Sequence, residues 1–193
     1  MNNKDWNISE KYKFIWVAPE KNATQTTAQI LSLYGCKFKD IPIYTPVHRL
    51  PYHFTTKSTN KDFPSDYTVL VNVRNPYGRV YSLFKTHFNK VFLKNKENFK
   101  KFLYDGIYFS GIVDKAIQPK VLPPNFKAIR FENLYEDLKS LPFIYENITD
   151  KQLKLFTDWH IPPTPWEKYY DDESKKMVYK LCQHQFEMFG YEK

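Results

Sequence analysis

The sequence predicts an α/β fold: one domain built on a central parallel sheet flanked by helices. Two short apolar runs, Phe14-Ile15-Trp16-Val17-Ala18 and Thr68-Val69-Leu70-Val71-Asn72-Val73, have the length and the β-branched or aromatic content of buried strands. Each is followed at once by a segment of helical period, and strand–helix alternation is what a helix-covered parallel sheet requires. A chain of 193 residues can bury one sizeable core and is short for two. The domain is therefore expected to span 1–193, with residues 1–12 as a flexible N-terminal extension.

The first strand ends at Pro19, and Ala23, Thr26, Thr27, Ile30, Leu31 and Tyr34 then fall on one side of a helix that Gly35 is placed to end. After the second strand, Asn75 suits an N-cap and Pro76 a first helical position; Tyr77, Val80, Tyr81, Phe84 and Phe88 follow at spacings of three and four. Lys127-Ala128-Ile129-Arg130-Phe131, introduced by the turn-forming Pro123-Pro124-Asn125, is a third, weaker strand. Thr149 and Gln152 form a capping box that opens a helix carrying Leu153 and Phe156. A last helix begins near Asp171 or Asp172, carries Met177, Val178, Leu181, Cys182, Gln185 and Phe189 inward, and closes at Gly190. The Pro-rich stretch at 161–165 reads as a loop.

Composition narrows the class further. Aromatic residues make up 18% of the chain and charged residues 26%, far from the composition of disorder. A net charge of +8 favours an anionic ligand or partner, whether phosphate, sulfate, nucleic acid or acidic glycan. Two cysteines, Cys36 and Cys182, make neither a disulfide scaffold nor a zinc site, and fit a reducing compartment as core fillers. With no signal-like apolar segment and no membrane-length run, the expectation is a soluble, cytoplasmic protein that needs no metal and no membrane.

Chemistry is expected where strands meet helices, because open parallel sheets bind ligands beyond the carboxyl ends of their strands. The first junction reads Pro19-Glu20-Lys21-Asn22-Ala23-Thr24-Gln25-Thr26-Thr27. A helix start offers unpaired N–H groups and partial positive charge, and a lysine among hydroxyls completes a cradle for an anion such as a 5′-phosphate. The same residues also describe an ordinary Thr-rich helix start, and they lack the glycines and Gly-Lys-Ser/Thr ending of a Walker A loop. At the second junction Arg74 stands at a strand end and Ser82 lies two turns into the helix. A guanidinium fork with a nearby hydroxyl suits a phosphate with two edges, although a solvated charge and a small packing residue would look alike.

The run Val73-Arg74-Asn75-Pro76-Tyr77, with Arg79 and Ser82, resembles the 3′-phosphate-binding motif of sulfotransferases that use 3′-phosphoadenosine 5′-phosphosulfate (PAPS), most closely the carbohydrate (Golgi-type) group. The lysine loop after the first strand resembles that family's 5′-phosphosulfate loop. Arg130-Phe131-Glu132-Asn133-Leu134 is similar to its Arg-Tyr-Glu-Asp-Leu element, and residues 169–191 to its closing helix. Family loops place Pro directly before the Lys and Gly three residues after it, whereas here Glu20 intervenes and Thr24 stands at the Gly position.

The resemblance implies a P-loop-like nucleotide-binding sulfotransferase fold and transfer of a sulfo group from PAPS to a hydroxyl acceptor, with carbohydrate the expected class. It implies that Arg74 and Ser82 hold the 3′-phosphate. Lys21, Asn22, Ala23, Thr24, Gln25, Thr26 and Thr27 would hold the 5′ end, with Lys21 also neutralising the leaving phosphate. The acceptor must lose a proton, and a general base typically contributes about 10²–10⁴-fold. His48, at a place where the family often carries a histidine, is the first candidate; His53, His160 and a carboxylate remain open. Three other readings compete. A P-loop-type nucleotide kinase would need Mg²⁺ and ATP. An inactive PAPS- or acidic-glycan-binding protein would use the same surfaces. A nucleic-acid binder is disfavoured by scattered basic residues and by aromatics at core spacing. Oligomeric state is not legible.

Overall fold

The computed structural model describes residues 7–17, 19, 21–35, 64–87, 95–104, 122–158 and 165–193. Four strands, β1 (Asn7–Ser9), β2 (Phe14–Val17), β3 (Thr68–Val73) and β4 (Lys127–Arg130), form one sheet in the order β1-β2-β3-β4. Among the described residues six α-helices accompany them: α1 (Thr24–Ser32), α2 (Pro76–His87), α3 (Lys96–Tyr104), α4 (Leu134–Lys139), α5 (Asp150–Asp158) and α6 (Asp172–Phe189). Pairing of β2 with β3 and of β3 with β4 is parallel, as the strand–helix alternation predicts. β1, inside the stretch expected to be an extension, pairs antiparallel with β2. The four residues between them allow nothing else, since a parallel neighbour needs a long crossover. The sheet is thus mostly rather than wholly parallel.

Two compact units divide the chain: residues 1–73 with 115–161, and residues 74–114 with 162–193. The first holds the sheet. Every residue of β2, and Val69 to Val73 of β3, is buried, so these strands have both faces covered and read as continuous apolar runs. Phe14, Trp16 and Leu70 share one face with Ile30, Leu31 and Tyr34 from α1 and its end, Leu134 and Leu138 from α4, and Leu153 from α5. Gly35, just past α1, adopts φ +69°, which only glycine takes without cost. The capping box of α5 forms as expected: the Thr149 N–H donates to Gln152 Oε1 (2.8 Å) and the Gln152 N–H to Thr149 Oγ1 (3.3 Å).

The second unit is helical. Tyr77, Val80, Tyr81 and Phe84 of α2 pack with Phe99 and Phe102 of α3 and with Val178, Cys182 and Phe186 of α6. Tyr170 is buried among them and donates its hydroxyl to the Tyr77 carbonyl (2.9 Å). Cys182 fills core, as expected, and burial pushes its thiol up to about 11, out of the reactive range. It also marks a break in helical geometry within α6.

Asp171 starts α6 with a reciprocal cap: its carboxylate accepts from the Ser174 N–H (2.9 Å), and Ser174 Oγ accepts from the Asp171 N–H (2.9 Å). The Lys100 ammonium, 2.6 Å away, and then the Ser174 N–H hold this carboxyl well below the usual carboxylate range. The ion pair is exposed and adds little, so the cap dominates. Asp171→Ala should lower unfolding free energy by about 1 kcal/mol at neutral pH. Because the folded carboxyl is the stronger acid, its contribution is complete above the unfolded value of about 4 and fades as pH falls below it. Denaturant melts of wild type and variant should therefore converge on acidification from pH 4 downward. A gap that persists undiminished well below pH 3 contradicts the cap's ionic character.

Candidate functional site

The junction after β2 in the first unit is held by one side chain on β3. Asn72 is fully buried, and its Oδ1 accepts from Trp16 Nε1 on β2 (2.7 Å). Its Nδ2 donates both to the Asn22 carbonyl (2.6 Å) and to Thr27 Oγ1 on α1 (2.8 Å). Asn22, also fully buried, returns a bond from its own Nδ2 to the Asn72 carbonyl (3.2 Å). Thr24 Oγ1 donates to the Pro19 carbonyl (3.0 Å) and closes the loop on itself. Strand, loop and helix are pinned by a buried polar set in which each bond depends on the others.

What this set holds is an unusual backbone. Lys21 (φ +66°) and Ala23 (φ +60°, ψ +24°) both lie in the left-handed region without being glycine, and Asn22 between them does not. Each such residue costs about 1–2 kcal/mol. Two positive-φ residues so close together turn the chain sharply just before α1. Ala23 is the N-cap of α1, no side chain caps this helix, and no acidic residue occupies its first turn. The helix start therefore presents N–H groups and partial positive charge with no built-in counter-charge from the helix itself. Asn22, Thr24 and Thr27, expected to touch the ligand, use their side chains to build the loop. Gln25 is exposed, while Lys21 and Thr26 are half-buried.

The second junction lies in the second unit and follows the expected pattern. Asn75 Oδ1 accepts from the Tyr77 N–H (2.9 Å), the Asn75 carbonyl accepts from the Arg79 N–H (2.9 Å), and Pro76 is the first residue of α2. A cap and a proline together fix where the helix starts, which leaves Arg74 one residue before the cap and half-buried. Ser82 lies two turns into α2, also half-buried, and Arg79 is almost wholly buried. Arg130 is fixed locally in the first unit: its backbone N–H and Nη1 donate to the Asp137 carboxylate at 2.7 and 3.2 Å.

His48, His53 and His160 lie outside the described residues, as does Cys36. Among the described residues no helix is long and apolar enough to cross a membrane. Comparison with models of protein families, with curated proteins and with solved structures found no match to this chain.

Asn72 was not singled out by sequence, yet asparagine is depleted in strands and stands here in an otherwise apolar one. Asn72→Ala removes three buried bonds and should lower stability by about 2–4 kcal/mol in urea unfolding. Ala23→Gly should do the opposite of a normal glycine substitution at a helix start, and raise stability by up to about 1 kcal/mol because it relieves a left-handed residue. A loss of stability in Ala23→Gly contradicts the left-handed loop.

Proposed function

We propose that this protein is a sulfotransferase that uses PAPS as donor and a hydroxyl, of carbohydrate type, as acceptor. The observation that carries the proposal is the Arg74-Asn75-Pro76 turn: the cap and the proline set an arginine at the strand-to-helix junction, with Arg79 and Ser82 at the spacing of a 3′-phosphate motif. The start of α1 supports it, because its N–H groups have no side-chain cap and no acidic residue in the first turn, and Lys21 stands just before it. A donor with a phosphate at 3′ and a phosphosulfate at 5′ needs two such stations. The chain's net charge of +8 suits a ligand that carries both.

In this proposal, Arg74 and Ser82 recognise the 3′-phosphate and so separate PAPS from ordinary adenine nucleotides. The α1 start and Lys21 receive the 5′ end. Transfer is an in-line displacement: the acceptor oxygen forms a bond to sulfur as the bond from sulfur to the bridging phosphate oxygen breaks. The electron pair of that bond leaves with the 5′-phosphate of adenosine 3′,5′-bisphosphate, and Lys21 neutralises the charge it gains. The acceptor proton passes to a base, with His48 the first choice and His53, His160 or a carboxylate the others. As in phosphoryl transfer, positioning and charge stabilisation carry most of the rate.

Thermal stabilisation by adenosine 3′,5′-bisphosphate, 5′-AMP and ATP tests the donor. A ligand bound only by the folded state raises the melting temperature by mass action. The bisphosphate should stabilise wild type far more than 5′-AMP at equal concentration, and Arg74→Ala should erase the difference. Equal shifts with 5′-AMP overturn the 3′-phosphate assignment, and a larger Mg²⁺-dependent shift with ATP favours the kinase alternative. His48→Ala should keep the bisphosphate shift and lower sulfo transfer by about 10²–10⁴-fold. Full activity removes His48 as the base.

A further inference from the structure

One side chain in the first unit bonds to both ends of the first turn of α1. Asn72 Nδ2 donates to the carbonyl of Asn22, the residue before the Ala23 N-cap, at 2.6 Å, and to Thr27 Oγ1, at the fourth helical position, at 2.8 Å. Thr27 also makes the first helical bond, from its N–H to the Ala23 carbonyl (3.0 Å). Residues 23–26 therefore lie between two points that one amide holds. Their N–H groups precede the first helical bond and carry the positive end of the helix dipole.

The amide is itself fixed from the sheet side. Its Oδ1 accepts from Trp16 Nε1 on β2 (2.7 Å), its carbonyl accepts from Asn22 Nδ2 (3.2 Å), and its backbone lies in β3 opposite Ile129 of β4. Asn22, Thr27 and Asn72 are fully buried, so their side chains offer no surface to a ligand. Any effect they have on one passes through the backbone they hold. Supporting bonds of this kind keep a binding group within about 0.5 Å of its productive position.

We propose that Asn72 is a positioning residue for the 5′ end of the donor: through Asn22 and Thr27 it sets the place of the first-turn N–H groups of α1, without touching the nucleotide. The inference rests on the reading that the start of α1 receives the 5′-phosphate. It makes the affinity of that station depend on a strand residue that belongs neither to the loop nor to the helix.

Calorimetric titration with adenosine 3′,5′-bisphosphate and with adenosine 3′-monophosphate reads the 5′-phosphate alone, as the preference for the first over the second. Asn72→Ala should lower that preference by about tenfold, the order of one hydrogen bond to a charged oxygen, and leave the monophosphate unchanged. Thr27→Val removes only one of the ties and serves where Asn72→Ala is too unstable to titrate; it should lower the preference by about threefold. A merely structural role lowers the melting temperature but weakens both nucleotides alike and leaves the preference where it was. Wild type that binds the two nucleotides equally, or binds neither, overturns the reading of the α1 start as a 5′ station, and the inference with it. If wild type prefers the bisphosphate, and Thr27→Val and any folded Asn72→Ala keep that preference within twofold, the role of Asn72 is overturned and the station stands.

Discussion

The buried amide of Asn72 is the interaction on which the first junction depends. Placed on β3, it reaches β2 through Trp16, the loop through the Asn22 carbonyl and α1 through Thr27. A polar group buried in an apolar sheet is costly unless every atom is satisfied, and here both Oδ1 and Nδ2 have partners. The same bonds hold Lys21 and Ala23 in left-handed conformations that neither residue would choose alone. Strain of this kind persists only where the surroundings over-determine it, and it collects at sites that bind or react.

That arrangement also holds two positive-φ positions that carry no glycine. Glycine would supply positive φ at no cost. Here Ala23 and Lys21 take that conformation, and the return bond from Asn22 to the Asn72 carbonyl, with Thr24 on the Pro19 carbonyl, keeps the chain in it. Thr24, where the pattern expects glycine, is the first residue of α1 and has no positive φ, so its backbone needs no glycine there. Thr24 is buried, and its hydroxyl builds the loop from within by donating to the Pro19 carbonyl.

Local rules were legible in the sequence wherever one short stretch contains both halves of an interaction. Asn75 with Tyr77, Thr149 with Gln152, Asp171 with Ser174, and Gly35 and Gly190 at helix ends all belong to that group, and β2 and β3 declared themselves by apolar runs. β1 could not be read, because Asn7-Ile8-Ser9 carries no strand signal and is recruited by its hairpin with β2. α3 had a signal in Phe99, Phe102 and Leu103 at spacings of three and four, but no strand or motif beside it drew attention there. The role of Asn72 is tertiary: its partners lie about 50 residues away, and no spacing rule connects them. What sequence supplied for function was the pattern around Arg74, and what the structure adds is the backbone of the lysine loop.

A crystal structure of the protein soaked with adenosine 3′,5′-bisphosphate would test the central claim most directly. The account predicts the 3′-phosphate on Arg74 and Ser82, and the 5′-phosphate on the N–H groups at the start of α1 beside Lys21. A nucleotide bound with its 3′-phosphate away from Arg74, or bound through its base and 5′-phosphate alone, would contradict it.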